Sequence, residues 1–313
     1  MKFLTSTPVL CMLFVVLWSS GFIGAKFGLG YAGTFTLLTL RYLLVTFVMI
    51  VIVSYLRAWR RLSTSEIMHH AIVGILAHAA WLASVLGAID LGLSAGLAAF
   101  IAALQPIVTG ALSASITGEK VSMRQWSGLA LGLGAVLLVI GDRLVLGGVL
   151  LAYLLPFLAV AAISIASLLD RRSELGAKKA TPIALVTFIH CAASLVVLTP
   201  MAFVLEGFSA QLSAGLVFSV VWLALVVSLA AYGLMFVLLR KMPASLVASL
   251  TYLSPPVTML IAFLLFNETL SSTDILGLLI ACVAVWLTIG KSEGSAKSEL
   301  SDKKQNTKIV CSR

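Results

Sequence analysis

Long apolar runs alternate with short polar breaks along almost the whole chain. A helix needs about 20 mostly apolar residues to cross the hydrocarbon core of a bilayer. Ten runs meet that need: 8–27, 34–56, 68–90, 94–117, 123–140, 148–169, 182–204, 214–239, 244–266 and 273–290. The breaks carry turn and charge signals, as in Arg57-Ala-Trp-Arg-Arg61, Gly118-Glu-Lys120, Gly141-Asp-Arg143, Asp170-Arg-Arg172 through Lys179, and Arg240-Lys241. The pattern predicts an all-α integral membrane protein with ten transmembrane helices.

One stretch occurs twice. Ser94 to Gly141 aligns without a gap on Pro243 to Gly290 at an offset of 149, with 16 of 48 positions identical. The identities include Pro106 with Pro255, Glu119 with Glu268, Gly128 with Gly277 and Gly141 with Gly290. An internal repeat of this length predicts two homologous halves. The predicted organisation is a cytoplasmic N-terminus at 1–7, a first five-helix repeat at 8–141, a second at 142–290, and a disordered basic tail at 291–313. The tail is polar and rich in Ser and Lys, a composition that buries too little apolar surface to fold.

Composition agrees with the membrane reading. The 313 residues are 61% hydrophobic and 11% charged, against about 25% charged in soluble proteins. The net charge of +9 would suit a nucleic-acid partner, but the placement of the basic residues argues against one. With the N-terminus inside, cytoplasmic segments hold 18 of the 21 Lys and Arg residues, the bias that sets orientation in membranes. Both termini are therefore predicted inside. Five spans per half is odd, so the second half enters the membrane inverted; Glu119 then faces the cytoplasm and Glu268 the outside. Inverted repeats are a signature of secondary transporters working by alternating access.

The start of the chain, Lys2 followed by an apolar run, imitates a signal peptide. No small-residue cleavage site closes the run, so an uncleaved first helix is expected.

Ionisable groups inside hydrocarbon are functional candidates, because each costs about 2.5–3.5 kcal/mol on insertion scales. All twelve acids lie at span ends, in loops or in the tail, with Asp90 nearest to a span interior. The lack of a midplane carboxylate argues against exchange of lipophilic cations for protons. Lys26 and Arg41 remain within or at the edge of the membrane. Each either snorkels to the outer headgroups or forms a positive focus for a substrate carboxylate or phosphate, which Arg41 would bind bidentately. His78 and Trp81 share a face of the third span; buried packing and lining of a polar cavity are both open for them, as for His190. Trp18-Ser-Ser-Gly21 serves close helix packing, or its tryptophan caps a cavity.

Gln105-Pro106 and Ser254-Pro255-Pro256 are matching proline breaks. Each is a simple kink or an interrupted helix of the kind that points to a transport site. Tyr232 and Tyr252 are further cavity candidates. Gly128-x-x-x-Gly132 reads as a helix-packing surface, within one chain or between two copies, so a homodimer stays open.

Several chemistries lack support. Cys11, Cys191, Cys282 and Cys311 have neither disulfide nor metal-ligand spacing, and no metal site or cofactor is predicted. Gly92-Leu-Ser94-Ala-Gly96 matches the nucleophile-elbow pattern but joins two membrane helices instead of a strand and a helix. No enzyme is predicted.

These residues carry a resemblance. Leu17-Trp-Ser-Ser-Gly-Phe22, Leu40-Arg41-Tyr42, Ala95-Gly-Leu-Ala98 through Gln105-Pro106, and Gly118-Glu119 resemble the EamA family of the drug/metabolite transporter superfamily. In the second copy the matching residues are Ala244-Ser-Leu-Val247, Ser254-Pro255 and Asn267-Glu268. The likeness covers about residues 8–290. Two departures stand out: Ser254 replaces the usual Gln before proline, and Asn267 the usual Gly. The resemblance implies a bacterial inner-membrane permease whose central cavity is lined by the first, third, fourth, sixth, eighth and ninth spans.

Together these readings predict a permease that exports a small zwitterionic or anionic metabolite, such as an amino acid, by rocking of two halves. The cavity candidates are Trp18, Arg41, His78, Trp81, Gln105, Tyr232, Tyr252 and Ser254. Pro106 and Pro255 are the candidate hinges, and Glu119 and Glu268 the candidate gates. The lipid bilayer and a small solute are the expected partners. A non-transporting membrane subunit or lipid-handling protein on the same scaffold is the alternative, which a dry interior would favour.

Overall fold

A computed structural model describes residues 7–105, 107–109, 112, 123–145, 149–176, 181–239, 241, 250–268 and 271–289. Pro106, Glu119 and the tail at 291–313 lie outside the described residues.

The described chain is helical, with no strand among its residues; Ala32 and Ala210 form an isolated antiparallel bridge. In order the helices are α1 (Thr7–Leu29), α2 (Thr34–Tyr55), α3 (Thr64–Gly74), α4 (Trp81–Asp90), α5 (Ala95–Ala102), α6 (Met123–Val145), α7 (Leu150–Gly176), α8 (Ile183–Glu206), α9 (Ala214–Val221), α10 (Tyr232–Leu239), α11 (Ser254–Phe266) and α12 (Ser272–Ile289). A π-helical segment, Ile75–Ala80, joins α3 to α4, and another, Trp222–Ala231, joins α9 to α10. Six helices are long and apolar enough to cross a membrane: Thr7–Leu29, Thr34–Tyr55, Thr64–Asp90, Leu150–Asp170, Ile183–Glu206 and Ala214–Met235. Shorter apolar helices, such as Thr251–Phe266 and Ser272–Ala284, overlap other predicted runs.

Helix ends follow local chemistry. Ser63 and Glu66 form a capping box: the Glu66 amide donates to the Ser63 hydroxyl at 3.2 Å, and the Ser63 amide to the Glu66 carboxylate at 2.8 Å. Both groups satisfy otherwise orphaned donors. Ser94 caps α5 and Ser213 caps α9 by accepting from Leu97 and Leu216 amides. The serine of the apparent nucleophile elbow is thus a helix cap. Pro255 and Pro256 stand in the first turn of α11, after a 3-10 turn at Thr251–Leu253. There the missing N–H is one the helix would leave unbonded anyway.

Most of the packing pairs recur when the halves are exchanged, the contacts of α1 with α4 and α5 being exceptions. Helices α2 and α8 pack on each other, as do α5 and α11, and α6 and α12. Helix α1 packs on the α9–α10 unit and α11, while its counterpart α7 packs on the α3–α4 unit and α5. Small residues allow the close crossings. A Cβ at Gly132 would lie 3.1 Å from Leu104 and 3.7 Å from Ala284, so this glycine packs within the chain. Gly74 is a second case: any side chain there would overlap the His190 backbone. Ser194 closes that crossing by donating to the Gly74 carbonyl at 3.2 Å.

One end of the bundle is tied by two carboxylates. Glu206, at the end of α8, accepts from the Phe35 and Thr36 amides at 2.8 and 2.7 Å and from the Thr36 hydroxyl at 2.7 Å. It thereby satisfies the first orphan donors of α2, next to which an anion is also favoured by the helix dipole. Glu268, just past α11, pairs with Lys26 near the end of α1 and accepts from the Ala95 amide at 3.4 Å.

Candidate functional site

A cavity of about 1860 Å³ runs into the bundle from the end opposite Lys26 and Glu268. Ligand sites for small molecules commonly measure about 300–1,000 Å³, so this is a vestibule with room for a small solute and water. Its mouth is lined by Arg60, Arg61, Glu66, His69, His70, Asp170 and Thr181, and its deep part by Trp18, Arg41, Tyr42, His78, Trp81, His190, Cys191, Ser228 and Tyr232.

Arg41 dominates the deep part. The residue is only 5% exposed, and its Nε and Nη2 donate to the Ser228 hydroxyl at 3.1 and 2.9 Å. Ser228 in turn donates to the Leu223 carbonyl at 3.0 Å. Among the described residues no carboxylate pairs with Arg41. A buried, uncompensated guanidinium is costly, and an entering carboxylate would relieve that cost through two parallel hydrogen bonds. Arg41 therefore does not snorkel to headgroups.

Aromatic rings surround this cation. Trp18 and Tyr232 lie 5.3 Å apart between centroids, Tyr42 and His78 5.9 Å, and the Arg41 guanidinium sits 5.8 Å from the Tyr42 ring. The walls are thus amphipathic, with a positive focus and no acid at depth.

The two π-helical segments explain how these groups are presented. Ile75–Ala80 carries His78, and Trp222–Ala231 carries Ser228. Displaced by 149, the first falls inside the second, so the same irregularity recurs in both halves. Single-turn π segments are frequent at functional sites because the wider turn re-aims side chains. The proline breaks pointed to the fourth and ninth spans; the irregular backbone at the cavity lies in the third and eighth, which carry no proline there.

The candidates thus divide. Trp18, Arg41, His78, Trp81 and Tyr232 line the cavity together. Gln105, Tyr252 and Ser254 are not among its lining residues. The Gln105 carbonyl accepts from Ser164, and Ser254 binds Ser19 at 3.1 Å in the α1–α11 crossing. In the Trp18-Ser-Ser-Gly21 stretch both readings hold: Ser19 and Ser20 bond to neighbouring helices, with Trp222 donating to Ser20 at 3.1 Å, while Trp18 faces the cavity. Lys26 is not among the cavity's lining residues; it pairs with Glu268 and lies 4.8 Å from the Phe266 ring. Ser228, His69, His70 and Asp170 escaped the sequence reading. All four histidines of the chain line this one cavity, and that scarcity was the available signal.

Apolar helices around a large cavity, whose mostly apolar walls carry a few polar groups, define a multi-pass membrane protein. The chain belongs to the EamA-like transporter family, which matches residues 5–141 and again 146–290. Two relatives are each named "Probable amino-acid metabolite efflux pump". That of Escherichia coli (strain K12) is 27% identical over 292 residues, covering 90% of this chain and 94% of the relative. That of Salmonella typhimurium (strain LT2) is 24% identical over 294 residues, covering 90% and 93%. A solved structure described only as "Crystal structure of protein" shares the fold, with a TM-score of 0.62 at 18% identity, over 91% of this chain and 97% of that one.

Proposed function

We propose that this transporter exports a small zwitterionic or anionic metabolite, an amino acid being the leading class, across a bacterial inner membrane by alternating access. The observation that carries the reading is Arg41, buried and without a carboxylate partner among the described residues, at the deep end of an aromatic-walled cavity. Such a site favours a carboxylate and disfavours a cation, because the guanidinium would repel it in a low-dielectric setting. The names of the two relatives point the same way.

The proposed arrangement is ten spans in two inverted halves with both termini inside. The exchange symmetry of the packing pairs supports it, as does the charge bias of the loops. In that frame the cavity mouth faces the cytoplasm, and the Lys26–Glu268 pair ties α1, α5 and α11 at the outer end. Rocking of the halves would break that tie and open the cavity outward, with Pro255 at the start of α11 as one pivot. The gating part of Glu119 and the pivot at Pro106 are carried by the repeat alone.

The non-transporting reading needs a packed, dry interior, and a cavity of about 1860 Å³ lined by Arg41, His78 and Ser228 weighs against it. The test is export of labelled amino acids from cells overexpressing the chain, beside an Arg41→Ala variant. Faster export of one compound, lost in the variant, is expected. Export of quaternary ammonium cations at a rate indifferent to Arg41→Ala would sink the proposal.

A further inference from the structure

His69 and His70 on α3 and Asp170 on α7 meet at the mouth of the cavity, outside the Arg41 site. One potential ligand atom from each lies within 4.8 Å of the other two. His70 is only 9% exposed, and its Nδ1 is buried without a hydrogen-bond partner, as is Nε2 of His69. Buried imidazole nitrogens normally find a partner, and each exception asks for an explanation. Two orphaned imidazole nitrogens on residues gathered around one carboxylate have a common answer.

We propose that His69, His70 and Asp170 bind a divalent transition-metal ion, Zn²⁺ being the type case. Two imidazoles and one carboxylate suit Zn²⁺, Co²⁺ or Ni²⁺, whereas Mg²⁺ and Ca²⁺ prefer all-oxygen shells. Bonds of about 2.0–2.1 Å place neighbouring ligands about 3.3 Å apart, so side chains whose ligand atoms lie within 4.8 Å need to close by at most about 1.5 Å. Asp170 supplies the negative charge that a dication needs. Arg60 and Arg61 stand on the same rim; Arg60 is bound to Glu66 at 3.1 Å and so partly neutralised. Three protein ligands leave at least one coordination position open, and all three residues line the cavity, so that position is available to water or a solute carboxylate. The ion would also brace α3 against α7, helices from different halves, across the mouth. Asp170 lies 100 positions from His70 in the chain, which is why the spacing gives no motif.

The test uses the full chain purified in detergent through an affinity tag free of histidine, titrated with Co²⁺ and followed by its visible absorption, then with Zn²⁺ as competitor. One equivalent of Co²⁺ should bind and be displaced by Zn²⁺, and Zn²⁺ should raise Tm. His70→Ala and the near-isosteric Asp170→Asn should each weaken binding by at least about tenfold, the lower bound for disturbing even an outer-shell partner, while eluting as the native protein does. No Co²⁺ spectrum up to millimolar metal overturns the proposal, and so does unchanged affinity in Asp170→Asn. No transported compound is present in this assay, so its outcome is independent of whether Arg41 binds a substrate.

Discussion

Breaking the Lys26–Glu268 pair should open the outer end of the cavity. The two side chains are 30% and 15% exposed, so the pair is neither a surface pair nor a fully buried one. Exposed pairs contribute about 0.2–1 kcal/mol, and removing one partner of a buried pair costs about 3–5 kcal/mol. After discounting for solvent screening, Glu268→Gln or Lys26→Met should weaken the closure by about 1–3 kcal/mol. At about 1.4 kcal/mol per tenfold change, that is roughly a 5- to 150-fold rise in the outward-open population. Cys191 lines the cavity and provides a native reporter. In spheroplasts carrying a chain with Cys11, Cys282 and Cys311 replaced by serine, a membrane-impermeant thiol reagent added outside should label Cys191 faster by that factor in either variant. The exchanged pair, Lys26→Glu with Glu268→Lys, should return the rate toward that of the parent. Equal labelling of parent and single variants would refute the assignment of this pair as the outer closure.

Two further outcomes follow from the packing. Gly74→Ala forces a methyl group against the His190 backbone, and overpacking of this kind costs about 1–3 kcal/mol; a lower Tm of the purified protein checks it. Glu206→Ala strips the start of α2 of three accepted hydrogen bonds and should cost about 1–2 kcal/mol, as lost helix caps do, again read as Tm, with Glu206→Asp restoring part of the loss.

The helices were legible because hydrocarbon demands long apolar runs, and Arg41 because a charge among them has to be explained. The aromatic and histidine groups around it, Trp18, His78, Trp81 and Tyr232, were legible as polar handles on apolar helices. Their neighbours were not. Ser228 resembles any packing serine until the π-helical turn at Trp222–Ala231 aims it at Arg41, and no residue type in that stretch demands such a turn. Gln105 and Ser254 were singled out by the prolines that follow them and are not among the cavity's lining residues; for Ser254 the physical reason is that Pro255 starts a helix, where a missing donor costs nothing. Glu268 stood out in the sequence only through the repeat, and its partner Lys26, 242 positions away, needed the fold.

The central claim is that a carboxylate-bearing solute crosses the membrane by way of Arg41. Its most direct test is counterflow in liposomes holding the purified chain, loaded with a mixture of unlabelled amino acids and given one labelled amino acid outside. The account predicts accumulation of label for at least one amino acid with the native chain, and accumulation no greater than in empty liposomes with Arg41→Ala. Accumulation that is equal in the two proteins, or absent for every amino acid with the native one, would contradict it.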